Sequence, residues 1–124
     1  MTNDEIRVKI AKLRGANWWE IDGQAYLCNP MHAAMLPKGA KVVDSPSPVS
    51  KVYYRVSNWP VDIKAAWELV EEMATPDNFG LSFWNNNVWE CIYRKEEDYT
   101  GFVEADTAPL AICHAFIQWK ESQK

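Results

Sequence analysis

The 124 residues predict an α+β domain: a small antiparallel β-sheet sandwiched between α-helices, in α-β-α layers. Three observations carry this. Apolar residues recur at helical spacing in three stretches, each opened by a capping signal. Aromatic segments bounded by tight-turn residues lie between them. The order is helix, small β elements, loop, helix, three strands, helix, and helices beside hairpin-linked strands make a layered domain.

The first helix follows Thr2-Asn3-Asp4-Glu5, a capping box in which Thr2 caps and Glu5 reaches back. Ile6, Ile10 and Leu13 form its apolar face, and Gly15 closes it in the left-handed position past its end. Asp22-Gly23 is a hairpin turn between strands that carry Trp19, Ile21 and Tyr26. Asn29-Pro30 starts another turn, and Met31–Leu36 reads as one helical turn. Residues 37–50, PKGAKVVDSPSPVS, hold three prolines, one glycine and three serines and read as a loop or linker. Val52–Val56 adds a short strand.

The second helix is expected to enter at Asn58-Trp59-Pro60, with Pro60 in its first turn, where a missing N–H costs nothing. Ile63, Ala66, Trp67, Val70 and Met73 or Ala74 give its apolar face, and Thr75-Pro76-Asp77-Asn78 stops it. Leu81–Trp84 and Val88–Arg94 read as a hairpin that turns on Asn85-Asn86-Asn87, because asparagine tolerates positive φ. The acidic run 96–98 is a second turn, and Thr100–Ala105 a third strand with Phe102 facing inward. Thr107 caps the last helix, with Pro109 in its first turn. Ala108, Ala111, Ile112, Ala115, Phe116 and Trp119 fall on one stripe, a core face.

The length is that of one domain, 1–124, able to bury roughly two-thirds of its unfolded surface without disulfide or metal. A net charge of −4, with no basic face, excludes general nucleic-acid binding and adhesion to anionic membranes. The chain has no apolar run long enough to span a membrane, and MTNDEIRVKIAKL lacks the apolar segment of a secretory signal. Three widely spaced cysteines then read as reduced thiols in a cytoplasm. Seven tryptophans are the unusual feature: such rings build cores, but also stacking pockets and interfaces.

Candidate chemistry is sparse. Cys28, His32, Cys113 and His114 are the right residue types for zinc, but Cys28-x3-His32 is a loose spacing. Adjacent Cys113 and His114 point about 100° apart on a helix, so Cys113 reads as core and His114 as exposed. A thiol–imidazole nucleophile pair needs Cys28 near His114, or Cys91 near His32. Asp62, Glu68, Glu71, Glu72, Glu104 and Asp106 are candidates for acid–base or magnesium chemistry. Capping is the simpler role for Asp62 and Asp106, at helix N-termini. Glycines in Walker or Rossmann order are absent, so a nucleotide would bind by stacking on aromatics with a few Arg or Lys contacts.

Two segments, NWPVDIKAAWELVEEM (58–73) and ADTAPLAICHAFIQW (105–119), resemble the phage ABA sandwich domain family. Asp62, Ala65, Ala66 and Trp67 match its Ala-Ala-Trp helix, with Trp59 and Pro60 where Tyr and Ser are usual. In the second segment Ala105 to Cys113 match closely. The resemblance covers the C-terminal two-thirds, and residues 14–50 match weakly. It implies a phage accessory protein and a sheet between helices, and brings no catalytic residues. The functional expectation is a non-enzymatic, host-directed protein of counter-defence type in the host cytoplasm, a homo-oligomer without metal or cofactor, sequestering a small nucleotide-like molecule or inhibiting a host protein. Its binding surface would use Trp18, Trp19, Trp59 and Trp84, with Arg55 or Arg94 for a phosphate. The rivals are a small hydrolase built on Cys/His or carboxylates, and a homo-oligomeric structural protein with tryptophans at subunit contacts.

Overall fold

The computed structural model describes residues 1–46, 50–73, 79–84, 87–96 and 99–121, and at 94–96 and 99–100 the backbone alone. Among these residues the fold is α+β, with three α-helices and seven strands in two sheets where one sheet was expected. The chain divides into two compact units, Ala11–Ser57 and Met1–Ile10 with Asn58–Lys124.

Helix α1, Asn3–Leu13, starts on the expected capping box. The Thr2 N–H donates to Glu5 Oε1 at 3.3 Å and the Glu5 N–H to Thr2 Oγ1 at 3.1 Å. The Thr2 N–H, and after it the Thr2 hydroxyl, hold the Glu5 carboxyl below its ordinary pKa. Ile6 and Ile10 are buried, while the third buried apolar residue of the helix is Ala11, not Leu13, which is half-buried. Gly15 (φ +100°) ends the helix, and the Ala16 N–H returns to Ala11 O at 2.9 Å.

In the unit of residues 11–57, β1 (Asn17–Ile21) and β2 (Gln24–Cys28) pair antiparallel through the Asp22-Gly23 turn. Both turn residues have positive φ, +48° and +80°, as a two-residue hairpin of this hand requires. A 3₁₀ turn follows at Pro30–Met35. The 37–50 stretch is not loop throughout. Lys41–Val43 forms β3, antiparallel to β1. Its two valines favour a pleated edge, and β1 has an open edge to offer. Residues 47–49 lie outside the described residues. Strand β4, Lys51–Tyr53, runs parallel to β2, so the strand order is β3-β1-β2-β4. A polar clasp fixes this edge: Gln24 Nε2 donates to Ser50 O at 2.8 Å, and Ser50 Oγ donates to Gln24 Oε1 at 3.0 Å.

In the other unit, α2 spans Ile63–Met73 and begins later than expected. Residues 58–62 form a turn, with the Asp62 N–H on Asn58 O at 3.0 Å, so Pro60 precedes the helix. Asp62 is the cap: its Oδ1 accepts from the N–H of Lys64 (3.0 Å) and of Ala65 (3.4 Å). The expected stop at 75–78 lies outside the described residues. Strands β5 (Phe79–Trp84), β6 (Val88–Glu96) and β7 (Tyr99–Ala105) form an antiparallel meander. Asn87 (φ +61°) takes the positive φ in the β5–β6 turn, while residues 97–98 of the expected acidic turn lie outside the described residues. Helix α3, Ala108–Glu121, is capped by Thr107 Oγ1, which accepts from the Leu110 N–H at 3.3 Å. The cap is therefore Thr107 and not Asp106, which is exposed.

Helix α3 packs on β6, β7 and α2, and its whole expected stripe is buried, together with Cys113 and Ile117. The stripe expected on α2 is overturned at two of its five positions. Ala65, Ala66, Leu69, Val70 and Met73 are buried, whereas Ile63 and Trp67 are each 46% exposed. Apolar residues lie on two overlapping stripes of α2, and small Ala65 and Ala66 give the one that permits close helix packing. Phe102 is also a correction. It is half-exposed, because buried Tyr93 lies opposite Gly101 and the pleat turns the next side chain to the other face.

Candidate functional site

Among the described residues, the three-stranded sheet buries the centre of one face and leaves much of the other exposed. Cys91 and Tyr93, two apart on β6, are fully buried. The alternate residues Val88, Glu90 and Ile92 therefore point the other way. The strand register builds that second face in rows. Gly80, Ile92 and Phe102 make one row, Ser82, Glu90 and Glu104 the next, and Trp84 with Val88 the third. Trp84 is 54%, Phe102 49% and Ile92 38% exposed.

Two apolar rows thus flank a pair of carboxylates, each about 7 Å from it by strand geometry. Glu90 and Glu104 are direct cross-strand partners, an arrangement that like charges disfavour and that a cation between them relieves. The arrangement offers flat aromatic and aliphatic contact at its ends and negative charge at its centre. Near the turn, on the opposite side of the pleat, Phe83 is also exposed and its ring lies 5.0 Å from that of Trp89.

The residues named from the sequence separate. Trp18, Trp19 and Arg55 belong to the unit of residues 11–57, and Trp59, Trp84 and Arg94 to the other. Trp18 and Trp59 are buried, at 3% and 4% exposure, and present no stacking surface. Trp18 is instead packed within its unit, against the Tyr53 ring at 6.4 Å and under the Lys51 ammonium at 5.7 Å. Trp19 is half-buried, and its Nε1 is screened from solvent with no acceptor among the described residues. Arg55 is exposed at a positive φ of +56°, its guanidinium 5.7 Å from the Tyr54 ring centre. The Arg94 side chain lies outside the described residues. Of the named tryptophans, Trp84 alone is exposed among the described residues. Phe102 and Ile92 were missed as surface residues; their alternation with Tyr93 and Gly101 was the available signal.

No three or more His, Cys, Asp or Glu side chains gather to hold a metal among the described residues. Cys28 and His32 lie in one unit, Cys113 and His114 in the other. Burial pushes the Cys91 and Cys113 thiols up to about 12. It raises Cys28 too, against the opposing charge of Arg55. All three thiols are thus protonated near neutral pH, the reverse of an activated nucleophile. Burial lowers the pKa of His114, which is half-buried rather than exposed. Of the candidate carboxylates, Asp62 is spent on its cap, and Glu72 pairs with Lys120 at 3.9 Å.

No helix among the described residues is long and apolar enough to cross a membrane. No curated protein and no solved structure matches the chain. The family model of the phage ABA sandwich domain matches residues 31–117. That span takes in the first motif segment, residues 105–117 of the second and the hairpin between them, and it covers the whole Pro/Ser-rich stretch at 37–50. The match supports a phage origin. With most of its length covered, the chain belongs to the phage ABA sandwich domain family.

Proposed function

We propose that this protein is a non-enzymatic, host-directed binding protein of a phage, acting in the host cytoplasm. Its target is a host protein with a basic, partly apolar surface, and inhibition of a host defence factor is the role this serves. The observation that carries the reading is the open sheet face. Trp84, Ile92 and Phe102 are exposed around the Glu90–Glu104 pair on a hydrogen-bonded meander. Exposed aromatics on a rigid element mark contact sites, and aromatic anchors dominate interface energetics. The charge favours a protein over a nucleotide-like ligand, because phosphates stacked beside Trp84 would face two carboxylates. It likewise disfavours self-association here, since two copies face to face would oppose Glu90 and Glu104 with their own counterparts.

The test is affinity capture from host lysate with the wild-type chain and with Trp84→Ala/Phe102→Ser. We expect one partner to be retained by the wild type, lost by the variant and released by salt. Circular dichroism of the variant should be unchanged. A partner kept equally by both, or a nucleotide-sized mass in native mass spectrometry of the purified chain, would overturn the reading.

A further inference from the structure

The two apolar residues that α2 leaves outside the core border an open groove along the exposed side of that helix. The groove measures about 550 Å³ and is lined by Ile63, Lys64, Trp67, Glu68 and Glu71. Ile63, Trp67 and Glu71 stand at successive four-residue steps, so they form one stripe of the helix. The Trp67 ring is held edge-to-face by Phe79, at 5.8 Å between centres and 87° between planes. It is nonetheless 46% exposed. The lining therefore combines an oriented indole, an aliphatic side chain and two carboxylates against one ammonium.

The sign of the ligand follows from this set. A cation over an indole is attracted by the ring quadrupole, and a neighbouring carboxylate adds to the attraction. An anion finds little here. The amides at the start of α2, the usual anion donors, already bond to Asp62. We propose that this open groove binds a small organic cation with an apolar body, an aryl- or alkylammonium compound. The ammonium sits between Trp67 and Glu71, and the apolar body lies along Ile63. The site is separate from the sheet face proposed for the host protein.

The probe is benzyltrimethylammonium chloride, titrated into the full-length, ¹⁵N-labelled protein, with sodium phenylmethanesulfonate as the anion of matched shape. Saturable amide shifts clustered at residues 63–71 are expected for the cation, with at least tenfold weaker response to the anion. Trp67→Ala should abolish them. Glu71→Gln, an isosteric change on an exposed position, should weaken binding about threefold, the scale of one exposed cation contact. Trp84→Ala/Phe102→Ser should bind the probe unchanged, which keeps this result distinct from that of the sheet face. Equal binding of cation and anion, shifts that survive Trp67→Ala in a folded variant, or no saturable shift would overturn the proposal.

Discussion

Gly101 is where a single residue decides the packing of the meander. It faces Tyr93 across the strands, and the Tyr93 ring lies where any Cβ at position 101 would stand. Tyr93 is buried, and its hydroxyl donates to Gln118 Oε1 of α3 at 2.9 Å, so the ring has little freedom to retreat. Gly101→Ala should therefore destabilise the protein by about 1–3 kcal/mol, the cost of overpacking a core contact. Urea denaturation followed by tryptophan fluorescence measures it. A change below a few tenths would mean that the ring swings aside.

At the scale of the element, the third helix is the best-specified part of the chain. Thr107 caps it, Pro109 lies in its first turn, and its stripe is buried along its length. Thr107→Ala should cost about 1 kcal/mol in the same denaturation experiment, and Thr107→Ser should restore most of it. The second helix shows the limit of reading an element alone. Ile63 and Trp67 satisfy helical periodicity as well as Leu69 and Val70 do, and only the partner helix selects which pair is covered. In the sheet, alternation was legible but its phase was not. One buried residue, Tyr93, settles the phase for β6 and β7 and turns Ile92 and Phe102 outward.

The whole molecule should show a stability plateau in pH, bounded by buried groups that resist ionisation. Cys91 and Cys113 have pKa values raised to about 12 in the fold, against an ordinary value of 9.0. A thiol held protonated contributes fully below its unfolded pKa, and its contribution fades as pH climbs from about 9 toward 12. The expected slope is about 1.4 kcal/mol per pH unit per thiol. On the acid side the pKa of His114 is lowered by burial from its ordinary 6.5. Its contribution is present above that value and is lost as pH falls through the depressed one. Urea midpoints should be flat between about 6.5 and 9 and decline on both sides. Cys91→Ala/Cys113→Ala should flatten the alkaline limb, and an unchanged limb would remove the thiols as its cause.

Local chemistry determined a good deal of this protein. The capping box at Thr2, the Asp22-Gly23 turn, the Thr107 cap and the α3 stripe all rest on residues within a few positions of each other, so the chain declares them before it folds. The family was legible from two helices for the same reason. Tertiary structure decided whatever depends on a distant neighbour. It recruited Lys41–Val43 and Lys51–Tyr53 to opposite edges of one sheet, and buried Trp18 and Trp59. It left Trp84, Phe102 and Trp67 exposed. An aromatic side chain gains free energy equally from any apolar partner, so its composition shows that it will seek one, while only the packed fold settles whether that partner lies inside the chain.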